Sequence, residues 1–146
     1  MDAGSKEALE LLLALGLGAV VGFERMLRGH TAGIHTHALV ALGSCAFVIA
    51  GLTLPGNNLA VVPTSVVTGS GFICAGVILH RGVNIQGLNT AATLWCVSAL
   101  GVLAAVGRPL LACMVASAAL LANIVFHFVE HSLLQHSADK PPLKES

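Results

Sequence analysis

A group of polar residues interrupts one of the apolar regions of the chain, in the stretch GLNTAATLWC at residues 87–96. Asn89 stands where an apolar segment begins, so its side chain can cap the free backbone N–H groups of a helix N-terminus. Thr90 and Thr93 can bond backbone carbonyls or a neighbouring helix, and the indole N–H of Trp95 needs an acceptor. A structural role therefore accounts for each of these side chains. Contact with a partner protein is an alternative role that the sequence leaves open.

Two opposite charges, Glu24 and Arg25, close the first apolar segment in the sequence GFER. Adjacent residues of a helix point in different directions, so these two side chains need not pair with each other. Two interpretations remain open. Either the charges mark a helix end at the membrane interface, or each reaches a group on another helix inside the bundle.

A polar line also follows the last apolar segment, where Asn123, His127 and Glu130 recur at helical spacing. Such a line is either a relay for protons or ions, or a set of hydrogen bonds that hold helices together. We favour the second interpretation, because a polar side chain in lipid gains stability simply by finding a partner helix.

Three histidines, His30, His35 and His37, crowd the segment that follows the first apolar block. Clustered imidazoles can bind a transition metal, but no cysteine adjoins them and Glu24 is the nearest carboxylate. Magnesium prefers oxygen ligands to histidine. We therefore predict neither a metal site nor a cofactor. The sequence also lacks HExxH, Walker A and GxSxG motifs, and it shows no Ser-His-Asp arrangement, so we expect a protein that is not an enzyme.

Long apolar blocks must position these residues. Of the 146 residues 55% are hydrophobic and 10% are charged, against about 25% charged in soluble domains. Only helices and closed barrels satisfy their backbone groups in lipid, and the alternation of barrel strands is absent. The sequence therefore predicts an all-α membrane bundle of five transmembrane helices within residues 1–130, followed by a short, polar, disordered tail at 131–146. The five blocks lie near 7–24, 36–54, 61–80, 89–107 and 109–129.

Five spans place the two termini on opposite sides of the membrane. Lys and Arg concentrate on the cytoplasmic side of membrane proteins, and the larger set here predicts a periplasmic N-terminus and a cytoplasmic C-terminus. The larger set is Arg25, Arg28, Arg81, Lys140 and Lys144, against Lys6 and Arg108 outside. The first ten residues lack the basic region and cleavage site of a signal peptide, so we expect the first block to be retained. The net charge of zero offers no electrostatic case for nucleic acid.

Small residues recur at helical spacing and predict close helix packing in lipid. The three lines are Gly18 and Gly22 in the first block, Ser65, Gly69 and Gly76 in the third, and Ala112, Ala116 and Ala119 in the fifth. They also leave homodimerisation open. Pro55-Gly56-Asn57-Asn58 and Gly107-Arg108-Pro109 predict turns between blocks, the second of them very tight.

Four stretches, taken together, resemble the MgtC/SapB family of bacterial inner-membrane proteins over residues 9–125. They are LGLGAVVGFERMLRGHTAGIHTHALVALGS, VTGSGFICAGVIL, GLNTAATLWC and SALGVLAAVG. Glu24, Arg25 and Thr36 match the first family motifs, whereas His35 replaces the usual arginine, so a role that needs a permanent charge there is not carried over. Asn89 and Cys96 resemble the virulence-associated branch of the family.

This resemblance implies a protein that supports growth when magnesium is scarce and survival inside host macrophages. The implied mechanism is binding of other membrane complexes, notably inhibition of the F-type ATP synthase through its membrane subunits; the alternative is a component of a magnesium or other cation transporter or channel. The predicted partner-binding residues are Asn89, Thr90, Trp95 and Cys96, and the predicted functional polar residues facing the bundle are Glu24, Arg25, His35, Thr36, Asn123 and Glu130. Longer family members carry a cytoplasmic C-terminal domain resembling an ACT fold, so ligand sensing through such a domain is not expected of these residues.

Overall fold

The computed structural model of the chain describes residues 2–54, 61–81 and 84–138. These residues form five helices, which confirms the predicted all-α class, and a small hairpin between the third and fourth helix. The helices are α1 (Ala3–Leu27), α2 (Ile34–Thr53), α3 (Val61–Val77), α4 (Leu88–Ala105) and α5 (Pro109–Ala138), and the strands are β1 (Leu79–Arg81) and β2 (Asn84–Gln86).

Three of the described helices are long and apolar enough to cross a membrane, namely α2, α4 and the segment Pro109–Val129 of α5. The apolar helix α3 has 17 residues. At 1.5 Å per residue it is about 26 Å long, somewhat less than a hydrocarbon core of about 30 Å. The uncharged part of α1 extends only from Leu11 to Phe23. Five spans and an outside N-terminus therefore stay predictions, while the hydropathy is that of a membrane protein.

The structure differs from the sequence expectation at the ends of two apolar blocks. The third block ends at Val77 rather than residue 80, and β1 and β2 then pair antiparallel with Leu79 opposite Gln86. Strands of three residues are too short to be recognised by alternation.

The last helix is longer than the sequence predicted. The helix α5 continues to Ala138, past the predicted boundary at 130, because residues 131–138 contain no glycine or proline to end a helix. The predicted turn at 55–58 and residues 139–146 lie outside the described residues.

The helix α4 is the centre of the bundle, since it contacts each of the other four helices. Its residues Leu94, Val97 and Leu100 are fully buried. Where α4 crosses α2, Gly101 faces the backbone so closely that an added Cβ would lie 3.0 Å from the Cβ of Ser44 and meet the carbonyl of residue 41. The two helices can approach this closely only because position 101 has no side chain.

The predicted Gly18 and Gly22 contact is confirmed, because both glycines face α2. An added Cβ at Gly22 would lie 2.7 Å from the Cα of Ile34 and 2.8 Å from the carbonyl oxygen of Gly33. An added Cβ at Gly18 would lie 2.7 Å from the carbonyl oxygen of His37. These contacts make α1 and α2 a tightly packed helical hairpin.

The predicted packing role of the glycines on α3 is wrong within this chain. An added Cβ at Gly69 or Gly76 meets nothing within 4 Å, and Gly69 lines an open space between α2 and α3. In α5, by contrast, Ala112 and Ala116 are buried as predicted.

The tight turn predicted between the fourth and fifth blocks is also confirmed. Gly107 has a φ of +69°, and its N–H donates to the carbonyl of Ala104 at 3.1 Å. Because α5 begins at Pro109, the proline occupies the first helical turn, where its missing N–H costs little.

Candidate functional site

Side chains from three helices meet in one polar cluster, consisting of Glu24 and Arg25 on α1, Thr90 and Thr93 on α4, and Asn123 on α5. Arg25 Nη2 donates to Thr90 Oγ1 at 3.3 Å. Asn123 Nδ2 donates to Glu24 Oε2 at 3.5 Å, a long hydrogen bond. The hydroxyl of Thr93 donates to the carbonyl of Asn89 at 2.9 Å and also lies 3.4 Å from Asn123 Oδ1. The polar cluster thus links α1, α4 and α5.

The two adjacent charges of α1 reach different neighbours. Arg25 is 1% exposed and extends to α4. Glu24 forms an ion pair with Arg28, the residue that follows α1, and contacts α5 through Asn123. Both charges therefore make bundle-side contacts, as the second sequence interpretation describes. Apart from the Glu24–Arg28 ion pair, these described contacts join helices of the same chain, so their chemistry is that of helix–helix bonding.

A buried histidine lies beside the polar cluster and was not among the predicted site residues. His37 is 0% exposed, and its Nδ1 lies 2.9 Å from the carbonyl oxygen of Gly33. Its Nε2 finds no hydrogen-bond partner among the described residues. The Nε of Arg25 is likewise buried without a hydrogen-bond partner in the described part of the chain. The signal was present in the sequence, because the small residues Ala41 and Ser44 recur at helical spacing from His37 and all three lie on the buried face of α2.

The three histidines of the first loop region do not come together. His30 is half-buried in the loop after α1, His35 is exposed, and His37 is inside the bundle. Within residues 2–54, 61–81 and 84–138, no group of three His, Cys, Asp or Glu side chains is placed to hold a metal ion. Burial, and secondarily the charge of Arg25, lowers the pKa of His30, which favours its neutral form.

The remaining predicted polar residues that the structure describes lie apart from the polar cluster. His35 and Thr36 line the space between α2 and α3. His127 is exposed on α5, whereas the side chain of Glu130 lies outside the described part of the structure. Of the predicted bundle-side residues, the structure therefore brings together Glu24, Arg25 and Asn123.

The four predicted partner-binding residues occupy two environments. Thr90 is buried within the polar cluster. Asn89 is exposed, Trp95 is 51% exposed and Cys96 is half-buried. Direct contact with a partner is thus open to the last three, whereas Thr90 lies inside the bundle.

Asn89 is not the N-cap of α4, so the predicted capping role is wrong. The N-cap is Gly87, which has a φ of +90° and no side chain to bond the free N–H groups. The backbone at Gly87 also packs directly against the carbonyl of Val77. A side chain at position 87 would meet that carbonyl, so glycine is required there. The helix begins at Leu88, one residue earlier than the sequence predicted.

We expect Asn89→Ala to change the free energy of unfolding by less than about 0.5 kcal/mol, as is usual for an exposed position. Chemical unfolding of the purified protein in detergent, followed by circular dichroism, measures this. Gly87→Ala is the matched control at the true cap, and it should be clearly destabilising because of the positive φ. A loss of about 1 kcal/mol in Asn89→Ala, the usual effect of removing a cap, would contradict the prediction.

Most of the length of this chain matches a known protein family. The sequence profile of the MgtC family matches residues 11–132. This chain belongs to the MgtC family. The match contains the polar cluster and the whole of α2, α3 and α4.

Individual relatives agree with this assignment. The protein MgtC of Salmonella typhimurium is 45% identical over 100 residues, which cover 68% of this chain and 43% of that protein. The protein MgtC of Brucella abortus is 46% identical over 92 residues, covering 62% of this chain and 39% of that protein. An uncharacterised protein of Synechocystis sp. is 39% identical over 140 residues, which cover 92% of this chain and 59% of that protein. This MgtC-family chain thus matches less than half the length of the two MgtC relatives. No solved structure matches it.

Proposed function

We propose that this chain is a non-enzymatic modulator in the bacterial inner membrane that acts by binding other membrane protein complexes. The membrane subunits of the F-type ATP synthase are the proposed target, and inhibition of that complex is the proposed effect. The resulting physiological role is support of growth in low magnesium and of survival inside macrophages. Membership of the MgtC family supports this proposal, since these are the properties that the family resemblance implies.

An open face on the central helix is the observation that carries the proposal. Leu88, Asn89, Ala92 and Trp95 recur at helical spacing on α4, and all four are exposed although α4 contacts every other helix. We call these four residues the open face of α4. Aromatic side chains are strong anchors of protein interfaces, and amide groups bond across helices in lipid. A face with both suits a transmembrane helix of another protein.

Trp95→Ala is expected to reduce recovery of the ATP synthase membrane subunits with the tagged protein at least tenfold. A tenfold change corresponds to about 1.4 kcal/mol, and loss of a central interface aromatic often costs about 2 kcal/mol or more. Quantitative mass spectrometry after mild solubilisation of membranes measures the recovery. The matched control is Phe126→Ala, because Phe126 is an aromatic residue with 68% exposure that belongs to α5 and not to the open face of α4.

The transporter alternative is tested with the same purified protein. Reconstituted in liposomes, the wild-type protein is expected to show no saturable flux of magnesium or protons. Flux that disappears in Glu24→Gln or Glu130→Gln would contradict the modulator proposal. Equal recovery of the ATP synthase subunits with wild type, Trp95→Ala and Phe126→Ala would separately exclude the open face of α4 as the binding surface.

A further inference from the structure

A groove of about 850 Å³ lies between α2 and α3. Its lining extends from His35 to Phe47 on α2 and from Val61 to Ile73 on α3, which is about 18 Å along each helix at 1.5 Å per residue. The two helices run antiparallel, because Gly51 near the end of α2 packs against Val62 near the start of α3. Phe47 and Val61 therefore lie at one end of the α2–α3 groove, and His35 and Ile73 lie at the other.

The chemistry of the lining is apolar along most of this length. Three serines line the groove, but each hydroxyl is already bonded within the protein. Ser44 bonds the hydroxyl of Ser98 at 2.9 Å, while Ser65 and Ser70 donate to carbonyls of their own helix at 3.0 and 2.8 Å. Apart from these serines, the polar side chains of the described lining are His35 and Thr36, which lie together at one end. The groove thus has an apolar length and one polar end.

From this arrangement we propose that the α2–α3 groove binds one acyl chain of a membrane phospholipid, with the head group at the His35–Thr36 end. The helix α2 is long and apolar enough to cross a membrane, so the groove opens towards hydrocarbon. Its length of about 18 Å is close to that of one leaflet, which is about 15 Å or half of the hydrocarbon core. Leu39 and Phe47 are exposed along its rim, so a lipid enters from the side.

The polarity of the groove favours a phospholipid over a transmembrane helix. A phospholipid has one polar end and an apolar length, as the described lining does. A second copy of the chain would have to place an apolar helix against the polar side chains of His35 and Thr36, so it fits less well than a lipid.

Two glycines provide a direct test, because they line opposite walls of the groove. Gly43 lies on α2 and Gly69 on α3, and an added Cβ at either position meets nothing within 4 Å. A leucine there projects into the groove without disturbing the described helix contacts. Gly71 is the matched control, since it is equally unobstructed but does not line the groove.

The test is retention of palmitoyl-oleoyl phosphatidylglycerol after reconstitution in vesicles of that lipid and extraction into detergent. Native mass spectrometry is expected to show one retained phospholipid on wild type and Gly71→Leu, and at least fivefold lower occupancy on Gly43→Leu and Gly69→Leu. Equal retention in all four proteins would overturn the proposal. Loss of a dimer in the wall variants, with unchanged lipid, would assign the groove to a second copy and overturn it as well.

Labelling of the unaltered protein makes the test independent of how the variants fold. Phosphatidylglycerol with a photoactivatable acyl chain is expected to cross-link Leu39 and Ile73 several-fold more than the exposed residues Leu121 and Phe128 of α5. Uniform labelling of the apolar surface would show ordinary annular lipid, and it would overturn the proposal.

Discussion

Gly101→Ala is expected to destabilise the bundle by about 1–3 kcal/mol, the usual cost of overfilling a packed interior. The added methyl group would meet the carbonyl of Ala41 and lie 3.0 Å from the Cβ of Ser44. A backbone carbonyl cannot turn aside as a flexible side chain can, so α2 and α4 would have to separate. That separation would also weaken the hydrogen bond between Ser44 and Ser98. Denaturant unfolding in detergent measures the loss.

Gly16→Ala on α1 is the matched control for Gly101→Ala. An added Cβ at Gly16 meets nothing within 4 Å, and alanine is favoured over glycine within a helix by about 1 kcal/mol. We therefore expect this variant to be as stable as wild type or more stable. If Gly101→Ala were as stable as Gly16→Ala, the close crossing of α2 and α4 would be wrong.

Thr90→Val is expected to lower the free energy of unfolding by about 1.5–3 kcal/mol, the range for a hydrogen bond to a charged group. Valine keeps the shape of threonine but removes the hydroxyl that accepts from Arg25 at 3.3 Å. The guanidinium is 1% exposed, so water cannot easily replace the lost acceptor. Unfolding in detergent again provides the measurement.

Thr68→Val is the matched control for the loss of a threonine hydroxyl. Thr68 is exposed on α3, and its hydroxyl bonds only the carbonyl of Thr64 one turn earlier, at 3.0 Å. We expect almost no change in stability there. In addition, the double variant Arg25→Met with Thr90→Val should have a higher free energy of unfolding than Thr90→Val alone, because Arg25→Met removes the buried charge that lacks an acceptor. Independent, additive effects of these two substitutions would count against the pairing of Arg25 with Thr90.

The helices could be predicted from local features of the sequence. The helices correspond to runs of apolar residues about as long as a membrane span, and in one case Gly107 and Pro109 mark the end of the run. Such runs can be recognised from residues that are close together along the chain. The close contact of Gly18 and Gly22 was also predictable, since α1 and α2 are joined by a short loop and must pack as a hairpin. The start of α4 was placed one residue late, because the cap depends on contact between Gly87 and the carbonyl of Val77.

The candidate site was predictable in its members but not in its pairings. Glu24, Arg25, Thr90 and Asn123 stand out as polar residues in apolar surroundings, and a polar group in lipid needs a partner. Which partner each finds depends on the rotation of α1, α4 and α5 about their axes, which no local pattern specifies. Arg25 and Thr90 are 65 positions apart in the chain, and only the packed bundle brings them together.

Residue types and hydropathy thus establish an apolar helical protein and its family motifs, because both are properties of short stretches of chain. Packing of the helices establishes which of these residues contact one another. Small residues occur on both α3 and α4, yet Gly101 of α4 is enclosed by α2 while Gly69 of α3 faces open space. The difference arises because α4 lies at the centre of the bundle and α3 at its edge. That position depends on how all five helices share their apolar faces.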